Sequence, residues 1–361
     1  MTLKVKLLPC VRSCKQIPVP AIRQSGLSLI ELMIAMVLGL FIVLGVVTVY
    51  VSAARSGNVN EALARVQEAG RFGISFLSRD IRMAGFDANC PAINNLLDET
   101  HSAYSDDLFT LGSPVSGWNN SAGDHAAYLS GYVAGTDVIS LQSAHQPTGV
   151  TATGKTPANA NTITVNDASG LPENTILLVA DLAGCDLFQK RNSANAKSLT
   201  RGAGNKDPGP GNKNPGTNNF SHQYDTDMQI LALQSVVYYI GQEQGRSPGL
   251  YRVRFNTGVG PGSWAAAEEL VPNISNMQIE YGVDTSGDDQ PNKFSNAAAV
   301  EAAGEWDDVK SVRVWLLAQS EQANILETDQ TLVAPFAGVD TSDRRLRYVF
   351  SSTNVIRNRM P

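Results

Sequence analysis

The hydrophobic pattern changes period along the chain. From Met33 to Val51, nineteen consecutive residues carry no charge and nearly all are large and apolar. At 1.5 Å per residue this run makes about 28 Å of helix, the thickness of a bilayer's hydrocarbon core. Beyond it, Val59, Leu63, Val66, Gly70, Gly73, Leu77 and Ile81 recur at intervals of three and four, while Glu61 and Arg65 stand one turn apart on the other face. The pattern predicts one helix of about 55 residues from Leu27 to near Gly85, half in lipid and half against a domain. Gly39, Gly45 and Gly57 are weak points where bending or local melting is expected.

Past residue 90 the period shortens, and β-branched residues gather in short runs bounded by Gly, Pro, Asn and Asp. Strands are predicted at Thr136–Gln142, Thr162–Val165, Thr175–Val179, Met228–Ile240, Leu250–Phe255, Met277–Val283, Val309–Leu317 and Leu346–Ser351. The fold class is therefore α+β, a long N-terminal helix on an antiparallel β-rich head. Residues 201–219 hold five Gly, three Pro and no large apolar side chain. They read as a mobile surface loop.

Charge divides the chain as sharply as hydropathy does. Residues 1–26 carry Lys4, Lys6, Arg12, Lys15 and Arg23 and no acid; the remainder holds 23 basic and 34 acidic residues, a net charge of −11. Basic residues ahead of a span orient it with the N-terminus in the cytoplasm and the body exported. The acidic body has the wrong sign for gripping nucleic acid. A mean hydropathy just below zero excludes a polytopic membrane protein.

A cleaved secretory signal does not fit, because no small-x-small site follows a short apolar core. A plain signal anchor leaves Glu31 unexplained, since a carboxylate inside an apolar segment costs a few kcal/mol unless paired. Gly26, Leu27, Ser28, Leu29, Ile30, Glu31 and Leu32 resemble the leader junction of type IV prepilins and pseudopilins. Leu27 and Ser28 depart from the commoner Phe and Thr of that junction. The resemblance implies cleavage between Gly26 and Leu27 by a prepilin peptidase and N-methylation of Leu27. It also implies subunit assembly through Glu31, whose carboxylate meets the free Leu27 amine of a neighbour. Four further segments, Val66–Phe86, Ile279–Asp289, Val309–Ser320 and the C-terminal VIRNRMP, are similar to minor pilins of the PilW family.

This resemblance implies four regions: a cytoplasmic leader at 1–26, a transmembrane helix at 27–54, an amphipathic helix at 55–86 and a periplasmic or extracellular β-rich head at 87–361. It implies a minor pilin supporting pilus priming and assembly, twitching motility and adhesion. The expected location is the bacterial inner membrane and then the pilus surface. The expected partners are other minor and major pilins, the prepilin peptidase, the inner-membrane assembly platform and a tip adhesin. A type II secretion pseudopilin of the J type is the alternative within the class. A membrane-anchored periplasmic binding or enzymatic domain is the alternative outside it.

Candidate chemistry is sparse. Cys10 and Cys14 fall in the leader, which leaves Cys90 and Cys185 in the exported chain; in an oxidising compartment they suggest one disulfide, and two separate buried thiols are the alternative. Asp284, Asp288 and Asp289 lie close enough together to suggest a structural Ca²⁺ site, but the EF-hand spacing fails and a solvated turn is the better reading. No other cofactor is expected. His101, His125, His145 and His222 show no catalytic or metal-binding spacing, and no catalytic motif appears. The chain reads as a structural protein rather than an enzyme.

Overall fold

The computed structural model describes residues 26, 28–147, 149–193, 196–202, 209–214, 218–255 and 266–360. The chain divides into two units, Met1–Gly57 and Asn58–Pro361. A single helix, α1 (Leu29–Met83, 55 residues), crosses the division. It is helical through Gly39, Gly45 and Gly57, so it does not melt at any of them.

The second unit carries fourteen strands among the described residues: β1 (Ile93–Asn95), β2 (Val115–Trp118), β3 (Val138–His145), β4 (Thr162–Thr164), β5 (Ile176–Ala180), β6 (Cys185–Gln189), β7 (Ser198–Thr200), β8 (Gln229–Gly241), β9 (Gly249–Phe255), β10 (Glu268–Pro272), β11 (Ile274–Val283), β12 (Lys293–Ser295), β13 (Val309–Gln319) and β14 (Arg347–Val355). Short helices α2 (Asp106–Phe109) and α3 (Ala297–Ala303) complete it. An eight-stranded sheet runs β1-β6-β5-β8-β3-β2, with β9 added to β8 and β10 to β9. A second sheet runs β12-β11-β13-β14, and β4 pairs with β7. All pairs are antiparallel except β1 with β6, which is parallel.

The thirteen-residue strand β8 organises three cores because both of its faces are covered. Val236, Tyr238 and Ile240 face α1 and the four-stranded sheet; Leu231, Leu233, Val237 and Tyr239 face a second cluster with Leu108 and Phe109; Ile230 and Ala232 join a third with Ile163 and Leu199. That two-sided burial is why β8 reads in sequence as an apolar run. Asn273, at φ +63°, turns the chain from β10 in one sheet to β11 in the other within one residue, a backbone conformation Asn tolerates.

The α1 residues Val66, Gly70, Gly73, Leu77 and Ile81 are buried, as their spacing predicts. Two of them are glycine for a steric reason. A Cβ at Gly70 would lie 2.0 Å from the Phe350 ring and one at Gly73 would lie 2.6 Å from Leu316 Cδ1. The helix therefore seats against β13 and β14 more closely than any larger residue permits.

The 201–219 segment departs from the surface loop expected of it. Residues 203–208 and 215–217 lie outside the described residues, but Arg201 and Asn212 are fully buried. Asn212 accepts from the Gln189 N–H at 2.7 Å and donates to the Gln189, Arg201 and Gly202 carbonyls, while Gln189 Nε2 donates to the Gly209 carbonyl. A polar side-chain network, which apolar content cannot signal, holds this stretch.

Candidate functional site

Leu27 lies outside the described residues, while Gly26 on one side of it and Ser28 on the other are described. Ser28 and Glu31 close a reciprocal cap at the start of α1: the Glu31 N–H donates to Ser28 Oγ at 3.2 Å, and the Ser28 N–H donates to Glu31 Oε2 at 3.0 Å. This is the capping box, in which two orphan donors of a helix start satisfy one another's residues. The Ser-x-x-Glu spacing announces it in sequence, but the reading of Glu31 as an assembly residue passed over it. Its consequence is positional: a carboxylate is held at the N-terminal, electropositive end of the helix, one residue from the nitrogen of position 27.

From Leu29 to Val51 the large apolar side chains of α1 are exposed, Tyr50 and Leu29 by more than 70%. This is the one helix among the described residues that is long and apolar enough to cross a membrane. A continuous apolar surface of that length has no stable place in water.

The other end of α1 is locked to the head by polar groups that the hydrophobic pattern did not reveal. Asp80 accepts the Tyr238 hydroxyl and lies 3.9 Å from Arg252 Nη1, and Arg252 Nη2 meets Glu268 at 2.9 Å. Burial, together with the Asp80 charge, raises the Tyr238 phenol well above its ordinary range. At the helix C-terminus Gly85 takes φ +76°, and Asn358 Nδ2 donates to the Ala84 carbonyl at 3.0 Å.

Cys90 and Cys185 form the expected disulfide, with Cα atoms 5.9 Å apart. The three aspartates of the acidic turn are not assembled for a metal. Asp284 accepts the N–H groups of Ser286, Gly287 and Asp289, and Asp289 pairs with Lys310 at 2.7 Å. Burial pushes the Asp284 carboxyl up, but those hydrogen bonds outweigh it and bring it down to about 2. Among the described residues no three His, Cys, Asp or Glu side chains are placed to hold a metal ion.

His222 stands among several polar groups. Ser221 Oγ lies 2.9 Å from His222 Nδ1, and His222 Nε2 lies 2.9 Å from Asp181. Ser221 also gives its N–H and hydroxyl to the buried Asp186, and the nearby N–H groups of Ala183 and Gly184 both donate to Asp181. Asp181 and its donors thus close the β5–β6 turn. His125 is buried against Trp118, which lowers it to about 4; burial also lowers His145.

Comparison with known proteins adds to this geometry. Residues 237–358, about a third of the chain, match the family described as type IV pilus-assembly protein W. Residues 22–47 match the prokaryotic N-terminal methylation motif. The first match covers the similar segments at Ile279–Asp289 and Val309–Ser320 and most of the C-terminal one; Val66–Phe86 falls outside both. No curated protein matches the chain. Among solved structures, a type IV-like pilin from Thermus thermophilus is similar at 12% identity and a TM-score of 0.20, over 53% of this chain and 86% of that one.

Proposed function

We propose, from the two matched segments, that this chain is a minor pilin of the PilW family, cut between Gly26 and Leu27, methylated on Leu27 and built into pili. The observation that carries the reading is the Ser28–Glu31 cap at the head of an exposed apolar helix. Cleavage before Leu27 creates an ammonium one residue upstream of the nitrogen that Glu31 already holds. In a low dielectric that cation and the Glu31 carboxylate offset one another's desolvation, whether the amine is its own or a neighbouring subunit's. The rest of the helix to Val51 supplies the apolar surface for lipid before assembly and for other pilin helices after it.

On this reading the head lies outside the cytoplasm. The chain works with other pilins, a prepilin peptidase and the inner-membrane platform, and it supports twitching-type motility and adhesion. Its role is structural. The intact mass of the purified protein tests processing: it should begin at Leu27 and carry one added methyl group. A membrane-anchored enzyme would retain residues 1–26 and lack the methyl. Glu31→Ala should still insert in the membrane yet fall at least about tenfold in sheared pili, the expected effect of losing a buried pair worth a few kcal/mol. Full incorporation of that variant contradicts the mechanism.

A further inference from the structure

Strand β14 ends the four-stranded sheet, and among the described residues no strand pairs with its outer edge. Its register against β13 runs from Arg347 to Val355 without a bulge. Leu346 O accepts from the Ser320 N–H and the Ile356 N–H donates to Lys310 O, so the even-numbered residues turn their amides toward β13 and the odd-numbered ones turn theirs outward.

The first outward residue is already served. The Arg347 N–H donates to Gln330 Oε1 at 2.9 Å, and the Arg347 carbonyl accepts from Gln330 Nε2 at 2.8 Å. A side-chain amide stands there in place of a strand's peptide group. The next outward residues, Val349, Ser351, Thr353 and Val355, meet no such group among the described residues, and the last three are exposed. Charged side chains, proline and bulges ordinarily blunt an open edge, and none occurs from Tyr348 to Val355.

Topology selects the kind of occupant. β11 is antiparallel to both β12 and β13, and β14 is antiparallel to β13, so the far edge of the sheet, β12, runs opposite to β14. A neighbour of like fold, lying with its helix parallel to α1, presents its far edge antiparallel to β14. The two sheets then join without either helix turning round. A second copy pairing β14 with β14 through a two-fold axis would instead set the two helices, each packed on its sheet, in opposite directions. Chains anchored in one membrane cannot adopt that arrangement.

We infer that the outer edge of β14, from Val349 to Val355, takes the far edge strand of a neighbouring pilin head in antiparallel register. The contact is head-to-tail, and its backbone hydrogen bonds continue the series that Gln330 begins. This inference rests on the reading of the chain as a pilin.

The test uses the full-length chain in cells that assemble pili, with a photo-crosslinking amino acid at Ser351 or Thr353: at Thr353 where Ser351 is replaced by proline and at Ser351 where Thr353 is. The expected result is an adduct whose partner peptide belongs to another subunit bearing an N-terminal methylation motif, and its loss on Ser351→Pro. That substitution removes one outward N–H and leaves every bond to β13. Protease resistance and an intact Cys90–Cys185 disulfide report that the variant is folded, and Thr353→Pro repeats the test one outward residue further along. No adduct, an adduct to strand β14 of a second copy or to a protein that is not a pilin, or an adduct indifferent to both prolines overturns the inference. So does unfolding of both variants, which would place these N–H groups in use within the head. Failure of the pilin reading is separately visible as an unprocessed N-terminus in the unsubstituted chain.

Discussion

Asp137, buried at 3% exposure, does the work of a missing strand. Its Oδ1 accepts from the Asn120 N–H at 2.8 Å, its Oδ2 accepts from the Ile279 N–H at 2.7 Å, and its own N–H donates to the Met277 carbonyl. The residue thus joins the start of β3 to the flank of β11. Burial raises its carboxyl to about 6, against the pull of those two hydrogen bonds. The folded state therefore holds the proton more tightly than the unfolded chain does. The stability this group contributes is full below about pH 4 and is lost as pH rises through about 6, on the order of 1 kcal/mol per pH unit. Asp137→Asn cannot titrate, so the stability gap between wild type and variant should narrow from pH 4 to pH 6 and then stay level. Urea titrations at each pH measure this, and a gap independent of pH refutes it. Nothing in the sequence marks Asp137 as special, because its two donors come from positions 17 residues before it and 142 residues after it. The Ser28–Glu31 cap, by contrast, is local and could be read from spacing alone.

At the scale of elements, short-range pattern located the long strands to within a few residues: β8 was expected at Met228–Ile240 and stands at Gln229–Gly241, and β13 was expected at Val309–Leu317 and stands at Val309–Gln319. The three-residue strands β1, β7 and β12 were not legible, since each depends on a partner distant in the chain rather than on its own periodicity. The helix was fully legible, including which face it buries, but its polar lock was not. Asp80 joins α1 to Tyr238 on β8 and, through Arg252 on β9, to Glu268 on β10. Removing Asp80 leaves Arg252, 7% exposed, with Glu268 as its remaining anionic partner and the Tyr238 hydroxyl beside it. Asp80→Ala should therefore cost about 2–4 kcal/mol in unfolding free energy. Asp80→Asn, which keeps an acceptor for the Tyr238 hydroxyl, should recover part of that loss. Equal losses in the two variants would show that the charge alone matters and that the tyrosine bond contributes nothing.

For the whole molecule, the family match and the core clusters overlap without coinciding. The matched residues 237–358 contain the end of β8 and all of β9–β14, the strands that meet α1 around Val66, Leu77 and Ile81. The unmatched residues before them build the third cluster, share the second with Val237, Tyr239, Tyr251, Val253 and Phe255 of the matched stretch, and carry the disulfide. Cys90 stands just before β1 and Cys185 opens β6, and these two strands form the lone parallel pair, three residues long, with Ile93 opposite Cys185. So short a parallel ladder has little stability of its own. The covalent link across 95 residues of sequence contributes up to about 4–5 kcal/mol by restricting the unfolded chain. Cys90→Ser with Cys185→Ser should therefore loosen the unmatched region first: amides of Ile93–Asn95 and Cys185–Gln189 should exchange hydrogen faster, while those of Met277–Val283 and Val309–Gln319 keep their protection. Because α1 packs on the protected part, the double variant should, on the proposed reading as a pilin, still be processed and incorporated wherever the head escapes proteolysis. Uniform loss of protection across both regions would instead mean that the disulfide-bearing region and the helix-bearing core unfold as one cooperative unit.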